Sequence, residues 1–188
     1  MQDRHMLFMI MLGCKPEGRH TEQHDIFFGI GKSLEDLVPN ILNFWPEAKG
    51  KLHIDAWREV THVDGFEISI VTKNENNNSD NQLFFINLGG YKENEFEEYH
   101  YKILAVATDI AAASKQAKQT TFYKHCGFAG ATSHIDDKFG VDIDDLYKVS
   151  DILEPHLSQK FDLQIVKSKN MVEDKLHIGY LKIEKLKD

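Results

Sequence analysis

The stretch Leu83–Tyr91, LFFINLGGY, decides the fold because it repeats a segment found earlier in the chain. Leu7–Lys15 reads LFMIMLGCK, and the two segments are identical at five positions. A Glu-x-His motif follows each segment at the same spacing, as Glu22–His24 and as Glu98–His100. A period of about 80 residues suits two small subdomains better than a solenoid, whose repeats are about 20–50 residues long.

A second motif supports the duplication and sets the predicted domain boundaries. His53–Asp55 and His134–Asp136 both read His-Ile-Asp, and their spacing is slightly wider than that of the first motif, which indicates a short insertion in the second copy. We therefore predict a first repeat over 1–73, an Asn-rich linker over 74–82, and a second repeat over 83–188 that ends in a C-terminal hairpin.

The predicted fold class is α+β, with a duplicated strand–strand–helix–strand–strand unit, mainly antiparallel sheets and a pseudo-twofold arrangement. The first helix, predicted after Ser33, carries a stripe of apolar residues at helical spacing. Pro39 inside it predicts either a kink or a shorter regular part of the helix. In the second helix the stripe contains the small residues Ala113 and Ala117, which predict close packing or a face shared with a partner.

The C-terminal part of the chain reads as two further strands. Phe161–Lys167 and Lys175–Ile183 predict a final antiparallel hairpin. Leu176–Leu181 is predicted to close the edge of the sheet in the second repeat, which would otherwise be open to pairing.

Composition excludes several classes of function. The net charge of −8 over 188 residues argues against nucleic acid as a partner, because binding to phosphates needs a clustered basic face. The longest apolar run, Met6–Leu12, is too short to span a membrane and lacks the features of a signal peptide. Cys14 and Cys126 have no metal-binding spacing, so free thiols and a cytoplasmic location are predicted.

Paired histidines and carboxylates are the main candidate site. They are Glu22, His24, His53 and Asp55 in the first copy, and Glu98, His100, His134 and Asp136 in the second. A spacing of two places both members of a pair on one face of a strand, and we expect adjacent strands to bring the pairs together. The simplest interpretation is a structural hydrogen-bonded network. The alternatives are an acid–base pair for catalysis and a site for zinc, iron or manganese.

Basic residues in the first copy suggest a small anionic ligand. Lys15 and Arg19 lie in the predicted loop after the first strand, and Asp25 beside them is a further ligand-binding candidate. Gly31-Lys32-Ser33 precedes a helix, but it lacks the earlier glycine of a phosphate-binding loop because position 26 is Ile. No cofactor is predicted, and a protein partner or a homo-oligomer are the other predicted forms of association.

Four long segments resemble a bacterial family catalogued as a domain of unknown function, which occurs in one or two copies per chain. They are LFMIMLGCKPEGRHTEQHDIFFGIG, FWPEAKGKLHIDAWREV, LFFINLGGYKENEFEEYHYK and SHIDDKFGVDIDDLYKVSDIL. The resemblance implies a bacterial, cytoplasmic protein with a duplicated α+β unit. It carries over no catalytic residue, because the family has no established activity.

Two functional hypotheses follow from these observations. The first is a binding or interaction module without catalysis, because no nucleophile motif or cofactor fingerprint is present. The alternative is an enzyme or a metal-binding protein that uses the His, Glu and Asp pairs.

Overall fold

A computed structural model describes residues 4–73, 79–91, 95–125, 141–169 and 172–186. Within these ranges the chain forms three antiparallel sheets and four α-helices, which confirms a mixed fold with antiparallel sheets. Two compact units divide the chain: Met1–Asn77 with Leu153–Asp188, and Asn78–Ile152. None of the described helices combines the length and apolar character needed to cross a membrane.

The strands are β1 Met6–Cys14, β2 Gln23–Gly31, β3 His53–Glu59, β4 His62–Val63, β5 Phe66–Thr72, β6 Gln82–Tyr91, β7 Glu98–Ala107, β8 Val141–Lys148, β9 Phe161–Lys167 and β10 His177–Lys182. The α-helices are α1 Val38–Phe44, α2 Ile110–His125, α3 Val149–Ile152 and α4 Pro155–Lys160. Short 3-10 helices cover Glu35–Leu37, Pro46–Ala48 and Ile183–Leu186.

The main sheet of the first unit is built around β1, in the order β10-β3-β1-β2. Because side chains alternate along a strand, Phe8, Ile10 and Leu12 share one face, and all three are buried in the core with α1 and the 3-10 helices. Leu7, Met9, Met11 and Gly13 therefore belong to the opposite face.

Pro39 restricts the regular part of the first helix, which is one of the two outcomes predicted for it. The α-helix begins only at Val38, and Pro39 lies in its first turn, where a backbone N–H has no partner inside the helix. The residues before it, Glu35–Leu37, form a separate 3-10 helix.

The C-terminal strands join the first unit, and the predicted hairpin between them is wrong. β9 pairs with β5 along its whole length, in the sheet ordered β4-β5-β9. β10 pairs with β3, so the segment predicted to close the second repeat instead covers the outer edge of the main sheet of the first unit. Both β9 and β10 therefore form their backbone hydrogen bonds with a strand that is distant in sequence, β5 and β3 respectively.

The second unit contains a three-stranded sheet in the order β7-β6-β8. Helix α2 packs on it through Ala113 and Ala117, which are fully buried beside Phe84, Ile86 and Leu88. The small side chains of the predicted weak stripe are thus used for packing inside this unit, while Ile110 is exposed. Residues 74–78 of the predicted linker and residues 126–140 of the predicted second repeat lie outside the described residues.

Asp174 ties the segment before β10 to the start of β4. Its side chain is only 1% exposed, and its Oδ1 accepts hydrogen bonds from the Thr61 N–H at 3.1 Å, the Thr61 hydroxyl at 2.6 Å and the His62 N–H at 3.0 Å. One buried carboxylate therefore satisfies three donors where the chain leaves β3.

We predict that Asp174→Asn lowers the free energy of unfolding by about 1–3 kcal/mol, because a charged acceptor becomes neutral and the NH2 group that replaces Oδ2 cannot accept from the Thr61 N–H, which lies 3.2 Å from Oδ2. Urea denaturation of the full chain measures this change. Glu184→Gln, an exposed carboxylate in the last 3-10 helix, is the control and should change the stability little. Equal effects of the two substitutions would contradict the role assigned to Asp174.

Candidate functional site

The candidate site of the first unit is centred on Gly13 in β1, an inner strand of the main sheet. Gly13 lies opposite His24 on β2 and opposite His53 on β3, so both histidines share its face. A Cβ atom added to Gly13 would lie 2.3 Å from His53 Nε2 and 2.4 Å from Asp55 Oδ2. Only glycine therefore leaves room for these side chains to meet across β1.

A β-bulge brings Asp55 into the same place. Leu12 pairs with Ile54 and the neighbouring Met11 pairs with Ala56, so Asp55 is the extra residue of β3 relative to β1. Bulges turn a side chain away from regular alternation and are common beside functional sites. This bulge directs Asp55 toward Gly13.

Four side chains, Glu22, His24, His53 and Asp55, form the arrangement that we call the His53 cluster. Asp55 Oδ2 lies 3.4 Å from His24 Nε2 and 3.3 Å from His53 Nε2. Glu22 approaches the same two nitrogens with separate oxygens, Oε1 at 3.4 Å from His53 and Oε2 at 3.8 Å from His24. Each imidazole nitrogen thus faces both carboxylates.

Burial differs sharply within the His53 cluster. The side chains of His53 and Asp55 are 8% and 22% exposed, whereas those of His24 and Glu22 are 42% and 47% exposed. His53 Nε2 and Asp55 Oδ2 are both buried, and neither has a hydrogen-bond partner among the described residues. Leaving a buried polar atom unsatisfied costs about 1–3 kcal/mol, so these two atoms require an explanation.

The strands that carry the two motifs are not neighbours, so this part of the prediction is wrong. β1 lies between β2 and β3, and the side chains meet on one face only because Gly13 has no side chain to separate them. Tyr180 of β10 also contacts the His53 cluster, because the centroid of its ring lies 4.4 Å from that of the His53 ring. Sequence reasoning did not identify Gly13 or Tyr180.

The other candidates of the first repeat lie apart from the His53 cluster. Asp25 is opposite Leu12 and so belongs to the other face of β2, and its Oδ1 accepts a hydrogen bond from the Ile26 N–H at 2.7 Å. Lys15 and Arg19 are exposed in the loop between β1 and β2. Neither side chain forms a hydrogen bond or ion pair with another residue in the described part of the chain.

A related arrangement occurs around Gly89 in the middle strand of the second unit. Gly89 lies opposite His100 on β7, and a bulge makes Asp144 the extra residue of β8 between Ile143 and Asp145. His100 Nε2 lies 3.8 Å from Glu98 Oε2 and 3.3 Å from Asp144 Oδ2. We call Glu98, His100 and Asp144 the His100 cluster; one ligand atom from each lies within 4.8 Å of the others.

In the described part of the second unit, an aspartate rather than a histidine faces the central glycine. Asp142 is the residue opposite Gly89, in the position that His53 has opposite Gly13. His134 and Asp136 lie outside the described residues. The sequence contained a usable signal for Asp144, because Asp142-Ile143-Asp144 keeps the Ile-Asp of His53-Ile54-Asp55.

Cys14 follows Gly13 but belongs to the opposite face of β1. Its free thiol is buried in the apolar core, where burial raises its pKa and the Glu22 carboxylate raises that pKa further. A raised pKa lowers the fraction of reactive thiolate, so Cys14 is poorly suited to be a nucleophile. Cys126 lies outside the described residues.

Comparison with known proteins identifies a domain of unknown function and a shared fold. Residues 19–70, which include the whole His53 cluster, match the family model described as Domain of Unknown Function (DUF1543). The crystal structure of a protein Il1583 from Idiomarina loihiensis is similar to this chain at a TM-score of 0.63 and 24% identity, over 95% of this chain and 97% of that chain. This identity level shows the fold alone. No curated protein sequence matches the chain.

We predict that Gly13→Ala lowers the free energy of unfolding by about 1–3 kcal/mol, because the added methyl group overpacks the site. Urea denaturation measures the change. The control is the same substitution in a His53→Ala/Asp55→Ala background, where space is available and alanine is favoured over glycine by about 0.5–1 kcal/mol. Equal destabilisation in both backgrounds would show that the clash is not with these side chains.

We also predict that Cys14 reacts slowly with a disulfide thiol reagent at pH 8 in the folded protein, because its thiol is buried and its pKa is raised. A Cys126→Ser variant isolates this thiol. Absorbance of the released reagent should appear rapidly only after urea is added. Rapid reaction of the folded variant would contradict the assigned burial of Cys14.

Proposed function

We propose that the first unit binds a divalent transition-metal ion, such as Zn²⁺, Fe²⁺ or Mn²⁺, through the His53 cluster. The observation that carries the proposal is the Nε2 atom of His53, which is buried, lacks a hydrogen-bond partner among the described residues, and faces Glu22 and Asp55. A cation held at this nitrogen would satisfy both of the buried atoms, His53 Nε2 and Asp55 Oδ2, that have no hydrogen bond within the described part of the chain.

Taken pair by pair, the nitrogen–oxygen distances in the His53 cluster suit ligands of one cation. Among the described residues, however, only the His100 cluster brings three ligand atoms within 4.8 Å of one another, so a cation at the His53 cluster requires its side chains to close in around the ion. Metal–nitrogen and metal–oxygen bonds of about 2.0–2.2 Å place neighbouring ligands of one ion roughly 3.0–3.4 Å apart. Three of the four nitrogen–oxygen distances are 3.3 Å, 3.4 Å and 3.4 Å, and the fourth, between His24 and Glu22, is 3.8 Å. A shift of the half-exposed Glu22 side chain by a few tenths of an ångström would bring the fourth into range.

Charge and backbone also support the proposal. Two neutral imidazoles and two carboxylates balance the charge of a dication, and nitrogen with oxygen ligands suits zinc, iron and manganese. A glycine inside a strand often marks the close approach of a ligand. The His53 cluster has that glycine at its centre, as Gly13.

The rival interpretation is a polar network that serves stability alone. Such a network would be expected to satisfy its buried members with well-aligned hydrogen bonds. His53 Nε2 and Asp55 Oδ2 lie close enough, at 3.3 Å, but both remain without such a bond among the described residues. This mismatch favours ligation over a purely structural role.

The same proposal includes an origin by duplication, in a bacterial and cytoplasmic protein. Gly13, Glu22 and His24 precede Gly89, Glu98 and His100 by one constant interval along the sequence. A bulged aspartate opposite the strand that carries the glycine recurs as Asp55 and Asp144. The side chains of His100 and Glu98 are about as exposed as those of His24 and Glu22, and the first cluster differs by containing the buried His53.

We predict that metal-free protein titrated with Zn²⁺ binds at least one equivalent, and that His53→Ala binds one equivalent fewer. Equilibrium dialysis followed by elemental analysis measures the stoichiometry. Zn²⁺ at one hundred times its dissociation constant should also raise the stability by about 2.7 kcal/mol.

His156→Ala is the matched control, because His156 is an exposed histidine of the same unit that lies 3.7 Å from Glu154. This variant should bind as much Zn²⁺ as the wild type. If His53→Ala only destabilises the protein and the wild type binds no metal, the cluster is structural and the proposal is wrong.

A further inference from the structure

We infer that the second unit binds a divalent transition-metal ion of its own, Mn²⁺, at the His100 cluster of Glu98, His100 and Asp144. This cluster lies in a different unit from the His53 cluster and shares no residue with it. The two sites are therefore independent, and each is tested by its own variants.

Ligand atoms from three side chains converge in the His100 cluster. One atom each from Glu98, His100 and Asp144 lies within 4.8 Å of the other two, and no other group in the part of the chain that the structure describes meets this criterion. His100 Nε2 lies 3.3 Å from Asp144 Oδ2 and 3.8 Å from Glu98 Oε2. These distances are close to the roughly 3.0–3.4 Å expected between neighbouring ligands of one ion.

The backbone of the second unit is shaped around the Asp144 carboxylate. Gly89 lies in β6, the central strand of the sheet, and is buried. A Cβ atom at this position would lie 2.4 Å from Asp144 Oδ2 and 2.7 Å from its Oδ1. The bulge in β8 brings the aspartate to that place. A chance group of surface carboxylates needs neither the glycine nor the bulge, so the His100 cluster is a built feature of this sheet.

A buried oxygen on the same face of β6 lacks a partner. Asn87 precedes Gly89 by two residues, and the regular register with β7 places the two on one face, opposite Lys102 and His100 respectively. The Asn87 amide donates to Asp145 Oδ2 at 3.2 Å, but its own Oδ1 is buried and has no hydrogen bond within the described ranges. A hydrated cation held on this face supplies water that can donate to such an oxygen.

The donor set of one imidazole and two carboxylates selects the ion. Carboxylates suit Mg²⁺, Ca²⁺ and Mn²⁺, whereas an imidazole nitrogen favours a transition metal, and Mn²⁺ meets both conditions. Two carboxylates and a neutral histidine balance the charge of a dication. The side chains of His100, Glu98 and Asp144 are 36%, 41% and 31% exposed, so solvent reaches the ion and water fills its remaining coordination positions.

The test titrates Mn²⁺ into metal-free, full-length protein and measures the free ion by electron paramagnetic resonance. A His53→Ala background removes the first cluster, and one equivalent of Mn²⁺ should bind. Glu98→Gln should weaken this binding by about tenfold or more, because loss of a ligand costs at least as much as loss of an outer partner. Glu97→Gln is the matched control, since it removes the same charge from the adjacent exposed carboxylate, and it should leave the binding unchanged.

Two further measurements address the histidine and the folding of the variants. An excess of Mg²⁺ should leave Mn²⁺ bound, because Mg²⁺ prefers oxygen ligands and gains little from the His100 nitrogen. In the wild-type background, His100→Ala should lose one equivalent of Mn²⁺, and this comparison does not depend on the stability of His53→Ala.

The outcomes separate this site from the one proposed in the first unit. Absence of Mn²⁺ binding would overturn the site, and so would equal losses in Glu97→Gln and Glu98→Gln, which would show only diffuse attraction to acidic residues. Displacement of Mn²⁺ by Mg²⁺ at equal concentration would overturn the role of His100. If His53→Ala costs no Zn²⁺ while His100→Ala costs one equivalent of Mn²⁺, the first site is wrong and this one stands.

Discussion

Steric room above one glycine is the constraint on which the arrangement of the first unit depends. Gly13 lies in the middle of a sheet, where glycine weakens a strand and other residues would pack better. A methyl group there would be within 2.4 Å of Asp55 Oδ2 and nearer still to His53 Nε2. The strand thus accepts a locally unfavourable residue so that side chains from both of its neighbours can meet.

The two faces of β1 have different roles: one packs in the hydrophobic core, and the other carries the His53 cluster. On one face, Phe8, Ile10 and Leu12 are fully buried and hold the helices on the sheet. On the other face, Gly13 lies beneath a group of ionisable side chains. The packed core face holds the backbone of β1 in place beneath the cluster. Sites built on strands are positioned more precisely than sites built on loops.

The sequence was informative wherever a local pattern determines the result. The repeated segment at Leu83–Tyr91 located both central strands, and period-two spacing placed Glu22 with His24 on one face. Bulges were the first obstacle, because the extra residue that makes Asp144 the counterpart of Asp55 shifts the register without any change of composition. The choice of strand partners was the second obstacle to prediction. The patterns of β9 and β10 identify strands, but the available edges of β5 and β3 determine where those strands pair.

The first unit is built from two separate segments of the chain, and this has a consequence for its synthesis on the ribosome. The main sheet of this unit needs β10, yet the whole segment Asn78–Ile152 is made between its two parts. At about 5–20 residues per second, translation of that segment takes roughly 4–15 s. During this interval the outer edge of β3, the strand that carries His53 and Asp55, has no partner from β10. The nascent chain must therefore keep an unpaired strand edge from aggregating until its last strands emerge.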